Sequence, residues 1–274
     1  MTNRIRTEDG GMTYLNEVEE KALKQIQHYG ADTTWALNRL HGPGWRGLVR
    51  SNLVLVHHGL MGEVATLAPE GLDLCQQRGQ RAYRLLAPGA ATDRAFQVAT
   101  VRRLLREGYS GWPELSIYKR RSAGLGQRGY TSVITALAVQ TSAAHHEAWG
   151  RPRLTYQELL DAYDGSHPPY NRDGIYQALH GMPLCYATIS NGGIKLPAIK
   201  RIYKHHAKQW HFAHWHHGVI IAVPEETPDI RHFVRSVNAQ ARREPLVHKG
   251  RTYPAYDHLV IVEVPVPGLN RKRG

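Results

Sequence analysis

The chain has 274 residues, with 35 lysines and arginines against 23 aspartates and glutamates, a formal net charge of +12 and a sequence pI of about 9.8. An excess of that size favours polyanionic partners, because neutralised phosphates release their condensed counterions. The two cysteines, Cys75 and Cys185, form no CxxC pair, which excludes a cysteine zinc knuckle, and no apolar run approaches the ~20 residues that cross a bilayer.

The N-terminal stretch MTNRIRTEDGGMTYL lacks an apolar signal core, so the expected location is cytoplasmic, in a reducing compartment, with no membrane partner. Asn16 followed by Glu19 reads as a capping box, and Val18, Ala22, Leu23 and Ile26 recur on one helical face until Gly30 ends it. Asp32 is placed to cap a second helix, Thr33 to Leu40, which the segment HGPG breaks. A short basic segment carries Arg46 and Arg50. Asn52 to Leu67 then reads as two short strands around a Gly59–Gly62 tip, followed by a closing helix in APEGLDLCQQRG.

Helix, helix, helix, two-stranded wing, helix is the order of a winged-helix module, which sets one helix in the major groove and the wing on the DNA backbone. On that reading the contact residues are Trp35, Asn38 and Arg39 on the second helix, Arg46 and Arg50 on the basic segment, and His57 and His58 in the wing. A small α+β cap that binds nothing is the plainer alternative.

Thr92 to Glu107 is amphipathic, with Ala95, Val98, Val101, Leu104 and Leu105 on one face and Arg94, Arg102, Arg103 and Arg106 on the other. Gly108 stops it. ELSIYK at 114–119 and TSVITALAV at 131–139 read as a strand pair, although the Ala-Leu-Ala run also allows a helix. A helical insertion is expected over about 151–210. Within it, Leu184 to Leu196 reads as a small hairpin turning at Asn191-Gly192-Gly193, and Pro197 opens a basic helix. Lys195, Lys200, Arg201, Lys204 and Lys208 form a stripe suited to phosphate contacts, or simply a solvated face. GVIIAV at 218–223 and LVIVEV at 259–264 are buried strands, separated by a helix that starts at Thr227-Pro228-Asp229.

The expected fold class is therefore α+β. A winged-helix DNA-binding domain over 1–88 precedes a mixed α/β domain over 89–274. The order helix, strand, strand, strand, helix, strand in the second domain resembles the core of restriction-endonuclease-like nucleases. That resemblance implies a strand Asp and a Glu-x-Lys pair that hold metal, but neither is visible here, so the core reads as degenerate. The phrases VATLAPEGLDL and DRAFQVATVRRLLREGYSGW, the latter at Asp93 to Trp112, make the run from Leu15 to about Trp112 similar to plasmid replication-relaxation proteins. That resemblance implies a winged helix linked to plasmid replication or mobilisation.

HHAKQWHFAHWHHG, from His205 to Gly218, holds six histidines. His214-Trp215-His216 before an apolar strand resembles the metal-binding strand of HUH-type replication initiators, in which alternate strand residues share one side. That resemblance implies a divalent metal on His214 and His216, with His211 as a further candidate, and Tyr253 or Tyr256 as nucleophile. Surface and half-buried imidazoles, or an adventitious metal site, are the plainer readings. GxxxxGK[ST] and HExxH are absent. The leading expectation is a non-catalytic, cofactor-free regulator or accessory factor in replication, mobilisation or genome maintenance. Its partner is double-stranded DNA, with a homodimer allowed. A metal-dependent DNA nickase is the enzyme alternative, and an RNA-binding or protein-interaction module is a third class.

Overall fold

Capping chemistry fixes the first helix, α1 (Glu17–Tyr29). The Asn16 side chain accepts from the Glu19 amide (3.0 Å), and the Glu19 carboxylate accepts from the Asn16 amide (2.9 Å). Two of the amides that a helix start leaves orphaned are thereby satisfied. Gly30 takes the left-handed conformation (φ 84°) and returns its N–H to Ile26, which closes the helix. Ala22, Leu23 and Ile26 form the buried face.

The computed structural model describes residues 4–6, 12–80, 82, 85–106, 110–111, 135–140, 184–213, 219–243, 247–248, 251–252 and 259–270. The chain is a mixed α+β protein with small sheets, and it divides into two units: Met1–Val98 with Val266–Gly274, and Ala99–Pro265. No helix among the described residues is long and apolar enough to cross a membrane.

In the first unit, β1 (Arg4–Arg6) and β2 (Met12–Tyr14) form a separate two-stranded ribbon. After α1 come β3 (Ala31–Thr33) and α2 (Thr34–His41). The cap of α2 is Thr33, whose hydroxyl accepts from the Ala36 amide (3.2 Å). This corrects the expectation for Asp32. That residue is buried, and its carboxylate is occupied by the Gln25 amide group and the Thr33 N–H. A short 3₁₀ turn, Pro43–Arg46, leads into α3 (Gly47–Arg50). β4 (Val54–Gly59) and β5 (Gly62–Leu67) make an antiparallel hairpin, and β3 pairs on the other side of β5, giving the order β3-β5-β4. α4 (Pro69–Gln77) follows.

Leu23, Ile26, Leu37, Trp45, Leu48 and Leu74 lie in one core beneath these elements. The entry to α4 is tight. The Leu53 carbonyl accepts from the Ala68 amide (3.0 Å), and a methyl group on Gly71 would overlap that same carbonyl. Backbone cannot swing aside as a side chain can. Gly71→Ala is therefore expected to destabilise the protein by about 1–3 kcal/mol through overpacking, read as a lower urea midpoint at unchanged slope.

Two helices touch the hairpin tip. α5 (Pro88–Arg106) brings Thr92 against Gly59, and α8 (Pro267–Asn270) donates the Gly268 N–H to the Leu60 carbonyl (2.8 Å). α5 begins at Pro88, four residues before the expected Thr92, and buries Ala95, Phe96, Val98, Val101 and Leu104. The positions around Gly108 lie outside the described residues.

The second unit holds a five-stranded sheet of order β12-β9-β8-β7-β6. Its strands are β6 (Ser110–Gly111), β7 (Thr135–Gln140), β8 (Leu184–Ala187), β9 (Val219–Val223) and β12 (Leu259–Glu263). β6, β7 and β8 pair antiparallel, while β8, β9 and β12 run parallel. Between the parallel strands the chain passes through α6 (Leu196–Ala213) and α7 (Pro228–Arg243), as parallel pairing requires long crossovers. β9 is buried at every position, as expected for an interior parallel strand. β10 (Val247–His248) and β11 (Arg251–Thr252) form a minimal ribbon.

Two expectations are corrected here. Leu184 to Leu196 is no hairpin: Leu184–Ala187 is an interior strand, Ser190–Gly192 is a 3₁₀ turn, and the chain then enters α6. Cys185, Tyr186 and Ala187 are all buried, which suits a strand paired on both sides. Consequently the described end of the 151–210 block is part of the sheet and its crossover rather than a helical insertion, and GVIIAV is the fourth strand of its sheet in chain order. TALAVQ is a strand, not a helix. ELSIYK lies outside the described residues, as does 141–183.

The outer edge of β12 is satisfied at Leu259 by a side chain. Asn238 of α7 donates to the Leu259 carbonyl (2.8 Å) and accepts from the Leu259 amide (3.1 Å), both buried. The amide thus stands in for a neighbouring strand. Burial pushes the thiols of Cys75 and Cys185 above their ordinary value, which leaves both in the unreactive protonated form.

Candidate nucleic-acid interface

The candidate surface is built on α2, the Pro43–Arg46 turn and α3. Thr34, Ala36 and Leu37 bury one side of α2, leaving Trp35, Asn38, Arg39 and Leu40 exposed. Trp45 and Leu48 do the same for the following turn, leaving Arg46 and Arg50 exposed. The two tryptophans, ten positions apart in the chain, have opposite fates. Trp45 is 0% exposed and donates its indole N–H to Asn38 Oδ1 (2.7 Å), whereas Trp35 is 67% exposed. That bond occupies the Asn38 carbonyl, so Asn38 joins α2 to the turn. The Arg39 guanidinium lies over the Trp35 ring (5.3 Å to its centroid), one helical turn on.

Glu63 of β5 organises the centre. Its Oε2 accepts from the Thr34 hydroxyl (3.1 Å) and from Arg46 (3.2 Å), while Arg46 also lies over Trp45. The Thr34 hydroxyl and then the Arg46 guanidinium hold the Glu63 carboxyl below its ordinary value. A carboxyl held low contributes stability above the ordinary carboxylate range and loses it as pH falls through the depressed value. The Arg46–Glu63 pair is solvent-exposed, and such pairs are worth little. It is therefore readily exchanged for a phosphate. Glu63→Gln removes a negative charge and releases Arg46, and is expected to tighten duplex DNA binding about three- to tenfold at low salt. Fluorescence anisotropy reads the change, and unchanged or weaker affinity would contradict it.

Arg50 is exposed and has no partner among the described residues. Arg78 is different: it is held by both oxygens of Glu20 (3.0 and 3.1 Å), partly buried between α4 and α1. No protein-family model, curated protein or solved structure matches this chain. The hairpin histidines divide. His57 is half-buried and bonds the Thr66 hydroxyl (3.0 Å) across the strand pair, while His58 is exposed and stands opposite Glu63.

In the second unit, Lys195, Lys200, Arg201 and Lys204 are exposed at and within α6, and Lys208 lies on the same helix. Lys200 sits over the Phe233 ring (5.5 Å), which Tyr203 meets edge-on. His205, His206 and His211 belong to α6. His211, the further metal candidate, therefore lies on a helix. The helix persists because Trp210 and Phe212 continue a run without proline, glycine or acid. His214, His216, Tyr253 and Tyr256 lie outside the described residues. Among the described residues, no three His, Cys, Asp or Glu side chains gather into a metal site.

Two determinants escaped the sequence pattern. Glu63 meets Thr34 across 29 positions, and no local motif signals that meeting. Trp45 stands inside a basic segment, where its flanking arginine and glycine disguise a core anchor. Its only local signal is a bulky aromatic one step before a helix turn.

Proposed function

We propose that the first unit is a winged-helix module that grips duplex DNA, and that the chain is a non-catalytic regulator or accessory factor in replication, mobilisation or genome maintenance. The observation that carries this reading is the set Arg39, Arg46 and Arg50, exposed on consecutive helical segments whose opposite faces are locked into one core. Backbone packed into the core carries the three charges, so phosphate contact orders side chains and not backbone. The order α1, β3, α2, α3, β4, β5, with β3 returning to β5, supports the winged-helix assignment. Because α5 and α8 engage the hairpin tip at Gly59 and Leu60, the contact is assigned chiefly to the helices. Asn38 and His57, already engaged within the fold, are left out of it.

Among the described residues, the order α5, β6, β7, β8, α6, β9 favours a restriction-endonuclease-like core for the second unit. Glu263 ends β12, but TALAVQ, LCYA and VIIAV carry no Asp or Glu. Metal-assisted phosphodiester cleavage draws on such carboxylates, and their lack there favours a binding role. The acid-free α6, with Lys195, Lys200, Arg201, Lys204 and Lys208, is a second phosphate contact in this reading.

The test is fluorescence anisotropy of a labelled duplex of about 20 base pairs at low and moderate salt. Each phosphate contact contributes about −0.9 to the slope of log affinity against log salt. A slope of about −3 or steeper is expected. Folded protein that leaves the duplex unbound at low salt rejects the proposal.

A further inference from the structure

We propose that Trp35 and Arg39 form a stacking platform for an unpaired base, so that the first unit prefers a junction between single-stranded and duplex DNA over a continuous duplex. This rests on the DNA-binding reading above and names the substrate within it.

The residue that prompts it is Trp35. It is the largest side chain type available, and it is 67% exposed on an eight-residue helix. Its backbone is nonetheless fixed. Thr33 caps the helix, Thr34 and Ala36 on either side are buried, and Thr34 is bonded to Glu63. The ring is restrained too, since the Arg39 guanidinium sits 5.3 Å from its centroid. An aromatic plane held in this way loses little freedom when a second flat group stacks on it.

Charge selects the occupant. Arg39 borders the ring, Arg46 is tied through Glu63 to the residue just before Trp35, and Arg50 follows in α3. An apolar protein partner gains nothing from an arginine on its docking ring and two more exposed on the segments that follow, whereas a nucleotide offers both a π-face and a phosphate. In a continuous duplex each base face is covered by its neighbours. A base at a junction exposes a face while its flanking phosphates stay within a duplex-like backbone. The indole therefore has its best partner where pairing ends.

The test compares a blunt duplex of about 20 base pairs with the same duplex carrying a short single-stranded overhang. The first unpaired base is 2-aminopurine. The full chain is expected to bind the overhang substrate about tenfold more tightly and to quench the 2-aminopurine fluorescence by stacking. Trp35→Ala should bring the ratio of the two affinities to about one and abolish the quench, and Trp35→Tyr should restore most of both. Equal affinity of the unaltered chain for both substrates overturns the proposal while leaving duplex binding intact. So does a Trp35→Ala variant that keeps the preference, including one that merely converts a dimer to a monomer. Failure to bind either DNA removes the underlying reading, and the junction preference falls with it.

Discussion

Replacing Arg39, Arg46 and Arg50 together by alanine is expected to lower duplex affinity by about 10²- to 10³-fold at low salt, and to flatten the salt dependence by about three units of slope. Each of the three side chains is exposed, and none is part of the core. Their internal partners are an exposed ion pair with Glu63 and ring contacts with Trp35 and Trp45, interactions that contribute little in water. The variant should thus stay folded, with stability within about 0.5 kcal/mol per site. The diagnostic feature is that affinity and salt slope fall together while the thermal midpoint holds. Loss of affinity at unchanged slope would mean that the arginines act by shaping the surface, not by neutralising phosphates.

Trp45→Ala carries the largest expected effect on stability. The side chain is fully buried among Leu23, Ile26, Leu37 and Leu48. Its removal deletes the apolar contact and leaves a cavity, a change that costs about 3–5 kcal/mol in comparable cores. It also removes the donor to Asn38, freeing the turn from α2. Trp35→Ala, in contrast, alters an exposed side chain and should change stability by no more than about 0.5 kcal/mol. Urea unfolding of the two variants side by side separates them: a large shift in midpoint for Trp45 and almost none for Trp35. Comparable shifts would contradict the assignment of one tryptophan to the core and the other to the surface. The Trp45 variant should also bind DNA less tightly, because Arg46 immediately follows the lost anchor.

What could be read from the sequence was largely what acts over short range. The Asn16–Glu19 capping box, the Gly30 stop and the Val54–Leu67 hairpin each depend on residues a few positions apart, so their signals survive in the linear order. The second helix illustrates the limit. Asp32 and Thr33 are both good caps, and the choice between them is made by Gln25 on α1, which engages the Asp32 carboxylate. The pairing of the strand at Leu184–Ala187 is hidden because Asn191-Gly192-Gly193 is a strong local turn signal. Its true partners, Thr135–Ala138 and Val219–Ile221, lie far away in the chain. Asn38 and His57 look like outward polar residues in the sequence. Tertiary contacts with Trp45 and Thr66 assign them internal work instead. At the candidate site the arginines are visible in the sequence, while the carboxylate that holds Arg46 is not.

Hydrogen–deuterium exchange with and without a saturating duplex tests the central claim most directly, because it reports where the polyanion rests rather than whether it binds. Amides from Thr34 to Arg50 should gain protection at low salt and lose that gain as salt rises. Protection confined to other segments, with 34–50 exchanging as fast as in the free protein, would contradict the account.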